Sequence, residues 1–325
     1  MTNSENHDVL VVGGGAAGLS AALMLGRSRR SVLVLDAGEP RNAPAAGIHG
    51  LLGHEGTPPA ELLRRGREEV GRYGVVVRRA RAVAATRDES GFTVTLDGGG
   101  AVHARRIVLA TGVVDELPAV DGLAARWGRD VLHCPYCHGW EVRDRAIVVL
   151  ATGPMAVHQA LLFHQLSADV TLLLHEQPAL VDEQAAELAA VGVRVVDGAV
   201  ARVVVENDVL TGVQLRSGEV VPAEAVAVGS RPVARRDLLA DLGLGLRELP
   251  GGTGAAVEAD PTGATATPGV WAAGNLTDPF AQVGASAAAG AKAGAMVNAD
   301  LVAEEARAAL APTSLTGAGV AGSHP

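Results

Sequence analysis

This sequence contains little of what marks secreted, membrane-spanning or nucleic-acid-binding proteins. Its 325 residues include two cysteines, one lysine and 2% aromatic residues. Two cysteines are too few to form the several disulfides that stabilise small secreted domains. No apolar run approaches the roughly 18 residues of a membrane-spanning helix. The net charge is −9, and the short arginine clusters have no aromatic residues among them. We therefore expect neither nucleic acid nor a membrane as a partner.

The chain begins with a polar segment, residues 1–8, which lacks the charged and then apolar layout of a secretory signal peptide. We therefore predict a cytoplasmic protein. In that compartment a lone cysteine pair is more often catalytic or metal-binding than structural. With 325 residues, of which 48% are hydrophobic, the chain exceeds the size at which one core keeps growing, so two domains are expected.

The first nucleotide-binding pattern is intact. A short apolar run is followed by the sequence GGGAAG at residues 13–18, a helical segment and a second apolar run that ends at Asp36. Gly13 permits a tight turn, Gly15 lets the backbone approach a pyrophosphate, and Gly18 lets the helix pack on the strand. Free N–H groups at the start of the helix would bind the phosphates, and Asp36 would accept hydrogen bonds from ribose hydroxyls. The pattern predicts a dinucleotide.

Three later segments resemble the FAD domain of the thioredoxin-reductase-like flavoproteins. They are an apolar strand that ends at Thr111-Gly112, a second that ends at Gly274-Asn275, and a turn at Gln282 before an alanine-rich helix. In that family the counterpart of Gly274-Asn275 meets the ribityl chain, although aspartate usually replaces Asn275. The resemblance implies FAD as the cofactor. The residues predicted to contact it are Gly13, Gly15, Ala16, Ala17, Gly18, Asp36, Ala37, Arg41, Asn42, His49, Gly50, Val83, Ala110, Thr111, Gly112, Gly274, Asn275, Gln282 and Val283.

A second pattern of the same type is damaged. Ala151 stands where its first glycine is expected, and Pro154, predicted to open the following helix, removes an N–H donor for a pyrophosphate. The resemblance assigns this part to the NADPH domain, where arginines bind the 2′-phosphate. Here Glu176 follows His175, and residues 146–193 contain neither lysine nor arginine. We therefore expect NADPH binding to be lost; NADH is disfavoured less, because Glu176 can hold a 2′-hydroxyl.

The two cysteines lie in one tetrapeptide, Cys134-Pro135-Tyr136-Cys137, between the two patterns. Cysteines at this spacing can exchange two electrons, and their pKa values can fall well below roughly 8.5. His138 follows directly and is predicted to act as a base, because histidine exchanges protons near neutral pH; typical thioredoxin reductases have an acidic residue there. A zinc site and a glutaredoxin-like fold are the alternatives. Without a second cysteine pair we predict no metal.

Together these segments predict an α/β fold of two Rossmann-like three-layer domains, as in thioredoxin reductases. The FAD domain is discontinuous, residues 1–116 and 242–325, and the degenerate NADPH-type domain, residues 117–241, is inserted and carries the dithiol. Within the insertion, residues 193–229 alternate apolar and polar residues around glycine turns, which predicts a small antiparallel layer. The resemblance also implies a homodimer.

Within that family, the chain resembles the flavoenzymes that close disulfides in holomycin- and gliotoxin-type natural products. The resemblance covers nearly the whole chain and is strongest at residues 13–18, 134–138 and 274–284. It implies a dithiol oxidase: a small-molecule dithiol attacks Cys134, His138 takes the proton, Cys137 passes electrons to FAD, and molecular oxygen accepts them, giving hydrogen peroxide. Two alternatives stay open, a disulfide reductase fed by NAD(P)H or ferredoxin, and a flavin-bearing scaffold without turnover.

Overall fold

The structure is a computed structural model that describes residues 5–310. Its strands are β1 (Glu5–Val12), β2 (Val32–Asp36), β3 (Val76–Arg79), β4 (Ala82–Asp88), β5 (Gly91–Leu96), β6 (Ala101–Leu109), β7 (Val113–Glu116), β8 (Val131–Leu132), β9 (Ile147–Leu150), β10 (Val170–Leu173), β11 (Arg194–Val196), β12 (Val200–Glu206), β13 (Val209–Leu215), β14 (Val220–Pro222), β15 (Ala225–Val228), β16 (Arg231–Ala234), β17 (Leu246–Glu248), β18 (Ala255–Val257) and β19 (Val270–Ala272). Its α-helices are α1 (Ala16–Arg27), α2 (Pro59–Gly71), α3 (Pro135–His138), α4 (Ala156–His164), α5 (Asp182–Val191) and α6 (Val283–Leu310).

The first sheet has seven strands and is organised around β6. Strands β3, β2, β1 and β6 run parallel in that order. The other edge of β6 is divided: its first half pairs with antiparallel β5, which leads to β4, and its second half pairs with parallel β19. The middle of β1 is fully buried, as expected for a parallel strand covered on both faces. The carboxyl ends of β1, β2, β6 and β19 therefore meet at one edge of the sheet, where open α/β sheets bind ligands.

Helices α1 and α6 pack against each other through glycines. A Cβ added to Gly290 would lie 1.9 Å from the Ala17 carbonyl oxygen, and one added to Gly294 would lie 2.6 Å from the Ala21 carbonyl oxygen. A Cβ on Gly18 would likewise lie 1.8 Å from the backbone oxygen of the glycine turn before α1. The backbones approach so closely that no side chain fits between them, and this contact holds the start of α1 against the sheet.

The second sheet contains five parallel strands in the order β11, β10, β9, β15 and β8. Strands β12, β13 and β14 form a separate antiparallel layer. The antiparallel layer predicted for residues 193–229 is therefore wrong at both ends, because β11 and β15 belong to the parallel sheet. Every residue of β15 is buried, and burial on both faces is typical of a central parallel strand. The predicted helix start is wrong as well: Pro154 lies in the turn before α4, which begins at Ala156.

Two strands connect the sheets. The chain leaves the first sheet through β7 and returns through β16, and these strands pair antiparallel within a four-stranded sheet that also contains β17 and β18. The division into residues 1–116 with 242–325 and residues 117–241 stays a prediction. Within residues 5–310, no helix is both long and apolar enough to cross a bilayer.

Candidate active site at the dithiol

A cavity of about 1180 Å³ contacts the carboxyl ends of both parallel sheets. Its wall includes the glycine turn after β1, the dithiol segment after β8 and the turn after β9. Fifteen of the predicted cofactor-contacting residues line it, namely Gly13, Gly15, Ala16, Ala17, Asp36, Ala37, Arg41, Asn42, His49, Ala110, Thr111, Gly112, Asn275, Gln282 and Val283. The fold thus brings together segments that are far apart in the chain.

Four predicted contacts do not line this cavity. Gly18 faces the glycine turn, and a Cβ on Gly274 would meet Ala17. Gly50 has a left-handed φ of 72° and lies in the loop before α2. Val83 is 48% exposed, whereas its neighbour Ala82 is buried and lines the cavity. Side chains alternate along a strand, so Ala82 rather than Val83 directs its side chain to the cavity, and a cofactor contact of Val83 stays a prediction.

The polar groups of the cavity fit FAD. Thr111 Oγ1 and Ser286 Oγ are buried without a hydrogen-bond partner among the described residues, and both residues line the cavity. Buried hydroxyls without partners are uncommon, so a ligand with several hydroxyl and phosphate oxygens would satisfy them. A Cβ on Gly15 would meet open space, which leaves the backbone at the start of α1 accessible to phosphates.

Asn275 uses its amide nitrogen within its own loop. Nδ2 lies 2.8 Å from the Ala281 oxygen, 3.1 Å from the Asp278 oxygen and 3.4 Å from the Pro279 oxygen. A carboxylate has no hydrogen to donate to these carbonyl groups. The amide therefore holds the loop before α6 and keeps its Oδ1 atom as an acceptor for a hydroxyl of the cofactor.

The two cysteines are free thiols at the start of the short helix α3. Cys137 Sγ lies 3.7 Å from Gln282 Nε2, immediately before α6. A hydrogen bond from the Cys137 thiol lowers the pKa of Cys134 to about 7, against the opposing effect of burial. The same contact and burial raise the pKa of Cys137. Cys134 is therefore the thiolate of the reduced pair, while Cys137 faces the residues that would hold the flavin.

His138 is placed to accept a proton. Its Nε2 atom is buried without a hydrogen-bond partner in the described part of the chain, and the residue lines the cavity. Burial lowers the pKa of His138, and the nearby His49 lowers it further, while Glu141 opposes them. A lowered pKa leaves the imidazole neutral at pH 7, with a lone pair available. His133, by contrast, directs Nδ1 at the Val228 oxygen at 3.2 Å, which is a structural contact.

Two aromatic side chains stand beside the dithiol. Tyr136 is 69% exposed and Trp140 is 64% exposed, so neither belongs to the core. The Arg143 guanidinium lies 4.1 Å from the centre of the Trp140 ring, a cation–π contact that fixes the ring. The two rings are available to a substrate at the surface.

A residue that the sequence pattern did not reveal lies beside Glu176 of the damaged second pattern. Arg216, from the turn between β13 and β14, lies 3.0 Å from the Glu176 carboxylate. His175 is occupied structurally, because its Nδ1 atom accepts a hydrogen bond from the Val200 N–H. The local sequence predicted a region without cations; the fold brings Arg216 into it, where Arg216 pairs with Glu176.

Arg41 has a second role that the sequence did not indicate. Its guanidinium lies 2.7 Å from both carboxylate oxygens of Asp115 and donates to the Pro279 oxygen at 2.7 Å. Asp115 also accepts a hydrogen bond from Ser230 Oγ at 2.8 Å. Asp115 lies on β7 and Ser230 directly precedes β16, so these contacts join both connections between the sheets. The partners are too far apart in sequence for a local pattern to link them.

Comparisons with known proteins agree with this geometry. The family model described as pyridine nucleotide-disulphide oxidoreductase matches residues 7–295. A protein named thioredoxin reductase tcpT, from Claviceps purpurea, is 33% identical over 94% of this chain and 97% of its own length. Another, thioredoxin reductase sirT from Leptosphaeria maculans, is 32% identical over 90% and 93%. The crystal structure of HlmI superposes with a TM-score of 0.86 at 44% identity, covering 95% of this chain and 97% of HlmI. The predicted thioredoxin-reductase-like α/β fold is confirmed. Within residues 5–310, no group of three or more histidine, cysteine or acidic side chains could hold a metal.

Proposed function

The chain belongs to the pyridine nucleotide-disulphide oxidoreductase family as a flavin-dependent oxidoreductase, and we propose that it acts as a dithiol oxidase on small-molecule substrates. The observation that carries this proposal is geometric: Cys134, Cys137 and His138 line the same cavity as the segments predicted to contact FAD. The Nε2 atom of His138 has no hydrogen-bond partner within residues 5–310, and burial lowers the pKa of this residue, so a neutral imidazole is available as a base. A substrate thiol that enters the cavity would lie beside the dithiol and this base.

The residues perform the reaction in two exchanges. In the oxidised enzyme Cys134 and Cys137 form a disulfide. A substrate thiol gives its proton to His138, and its sulfur attacks Cys134, so that the Cys134–Cys137 bond breaks and Cys137 leaves as a thiolate. The contact with a Cys134 thiolate, which raises the pKa of Cys137 in the reduced pair, is absent in this mixed disulfide. The second substrate thiol then attacks the mixed disulfide, which releases the oxidised substrate and leaves two electrons on the cysteine pair. FAD, bound by the residues described above, supplies a two-electron acceptor that dioxygen reoxidises with formation of hydrogen peroxide.

The second nucleotide turn supports oxidase over reductase chemistry. A pyrophosphate is bound by glycine-rich backbone and helix N–H groups, but here Ala151 replaces a glycine and a proline stands two residues before α4. Arg216, which lies beside Glu176, is paired with its carboxylate. A nicotinamide donor therefore lacks its usual anchors, while dioxygen needs none.

A disulfide reductase is the second candidate. It is favoured by the relatives named thioredoxin reductase and by Arg216, which could bind a phosphate if Glu176 turned away. Reduction by NAD(P)H or by a protein donor such as ferredoxin would then drive the same dithiol–disulfide exchange in the opposite direction.

We further propose that the enzyme is a homodimer in the cytoplasm.

An anaerobic titration distinguishes these functions. The purified yellow protein, mixed with excess NADPH or NADH under nitrogen, is expected to keep its flavin absorbance. Dithiothreitol should bleach it, and air should restore the colour with one hydrogen peroxide formed per flavin. The Cys137→Ser variant should not bleach, because it cannot pass on the electrons. Bleaching by low concentrations of NADPH would favour the reductase, and bleaching of the serine variant by dithiothreitol would refute the cysteine relay.

A further inference from the structure

A compact loop before α2 brings His49 next to the dithiol base. Its ends are joined by a bridge between Ile48 and Thr57. Within it, Gly50, Gly53 and Gly56 have left-handed φ angles of 72°, 83° and 70°. This is a backbone conformation that glycine adopts without strain. The loop is therefore built to a defined shape.

That shape places a carboxylate against the imidazole. His49 Nδ1 lies 2.6 Å from Glu55 Oε1, and the other Glu55 oxygen accepts a hydrogen bond from the Gly50 N–H at 2.9 Å. A carboxylate at neutral pH only accepts hydrogen bonds, so Nδ1 of His49 carries the hydrogen and Nε2 carries the lone pair. Glu55 thus fixes both the tautomer and the orientation of His49.

The free edge of His49 faces the dithiol helix. The rings of His49 and His138 are nearly perpendicular, at 74°, with centres 6.2 Å apart. His49 Nε2 lies 3.5 Å from a Glu141 oxygen. His49 also lines the cavity, and Glu55 is exposed to solvent. His49 and Glu55 therefore lie between the buried base and bulk water.

We propose that His49 and Glu55 are positioning residues that carry the substrate proton from His138 to solvent. The inference rests on the proposed function. His49 was predicted from sequence as a cofactor contact, which stays a prediction, and its hydrogen bond to Glu55 suits it to a role in proton transfer as well. No hydrogen bond joins the two rings directly among the described residues, and with ring centres 6.2 Å apart the proton would pass through one bridging water molecule.

The proton balance requires such an exit. A dithiol that becomes a disulfide gives up two electrons and two protons. A bound flavin would take up both electrons and one proton, so the second proton has to leave the site before His138 can accept a proton from the next thiol. Burial makes a charged His138 unfavourable, and it lowers the pKa of this residue. Transfer to His49, which lies between Glu55 and Glu141, moves the charge next to carboxylates and frees His138 for the next thiol. The titratable groups that face this path are His138, His49, Glu55, Glu141 and Cys137.

Stopped-flow bleaching of the flavin by dithiothreitol under nitrogen tests the path without dioxygen. The wild type should release one proton per bleached flavin, as measured with a pH indicator. His49→Asn keeps a polar side chain but cannot titrate, and it should bleach roughly 100-fold more slowly at pH 7, at the low end of acid–base effects. Excess imidazole should restore much of this rate. Glu55→Gln keeps an acceptor for His49 and should show a smaller loss with a shifted pH profile.

His54→Asn is the matched control, because His54 lies in the same loop and does not line the cavity. It should bleach at the wild-type rate. Equal rates for His49→Asn and wild type would overturn the inference. So would a loss that imidazole does not restore, or an equal loss in the control, since these indicate a structural role. Failure of the proposed oxidase would appear separately, as bleaching by dithiothreitol without recovery in air.

Discussion

At the scale of single residues, the active site depends on which side chain donates and which accepts. Cys137 donates to Cys134, and this contact makes Cys134 the thiolate of the reduced pair. His138 keeps a free nitrogen only because no described neighbour satisfies it. Asn275 illustrates the same rule at the cofactor end, since its amide donates towards three carbonyl oxygens.

The Asn275→Asp variant should therefore bind FAD more weakly, although aspartate is usual at this position in the family that the chain resembles. The carboxylate would face three carbonyl oxygens without a hydrogen, and an unsatisfied group of this kind costs about 1–3 kcal/mol. Flavin retention after gel filtration and the melting temperature of the holoenzyme measure the effect. Asn298→Asp is the matched control, because Asn298 accepts from Arg30 and should tolerate the same change. Undiminished flavin content in Asn275→Asp would contradict this account.

At the scale of elements, glycines set the distance between α1 and α6. The segments that precede the two helices both line the cavity: the glycine turn precedes α1, and Gln282 precedes α6. The Gly290 contact with the Ala17 backbone therefore controls the width of the site as well as the packing of the helices.

Gly290→Ala should separate these helices and destabilise the protein by about 1–3 kcal/mol, the usual cost of overpacking. Its added methyl group has only backbone atoms in front of it, so no flexible side chain can move aside. Gly71→Ala in α2 is the control, because nothing lies within 4 Å of its Cβ position and the change should be neutral or stabilising. Urea unfolding measures both variants; equal stability of Gly290→Ala and wild type would show that the helices adjust.

At the scale of the whole molecule, the connections between the two sheets are joined by a buried acid. Asp115 binds Arg41 and Ser230, which ties β7, the residue before β16 and the loop after β2 into one cluster. Despite burial, which opposes the shift, the hydrogen bonds from Arg41 lower the pKa of Asp115. The arrangement of dithiol and flavin residues across the cavity depends on this junction.

Asp115→Asn should destabilise the protein by about 2 kcal/mol at pH 7, within the range for hydrogen bonds to charged groups. Because the folded-state pKa is depressed, this contribution is present above the unfolded value of about 3.9. It is lost as the pH falls through the folded-state pKa, so wild type and variant should converge in acid. Asp169→Asn, which breaks an exposed pair with Arg194, should cost less than about 1 kcal/mol. Urea unfolding between pH 3 and pH 7 is the measurement, with a difference independent of pH as the contrary result.

The sequence alone was enough to predict the glycine pattern, the acid at the end of β2 and the CPYC tetrapeptide with its histidine, because each depends on neighbouring residues. Turn geometry, strand alternation and disulfide spacing are local, so they predicted two nucleotide-binding units, the flavin segments and the dithiol. The sequence did not show which residue of β4 directs its side chain to the cavity: Ala82 does so, while Val83 is exposed.

Only the tertiary structure decided how these segments meet. Arg216 and Glu176 are 40 residues apart in the sequence, and Arg41 and Asp115 are 74 residues apart. No local sequence pattern pairs two charges at such separations. His49 was predicted from the sequence as a cofactor contact, and only the fold shows that it also lies beside His138 and Glu55. Such pairings depend on long-range packing between the carboxyl ends of the two sheets, and that packing is a property of the whole chain.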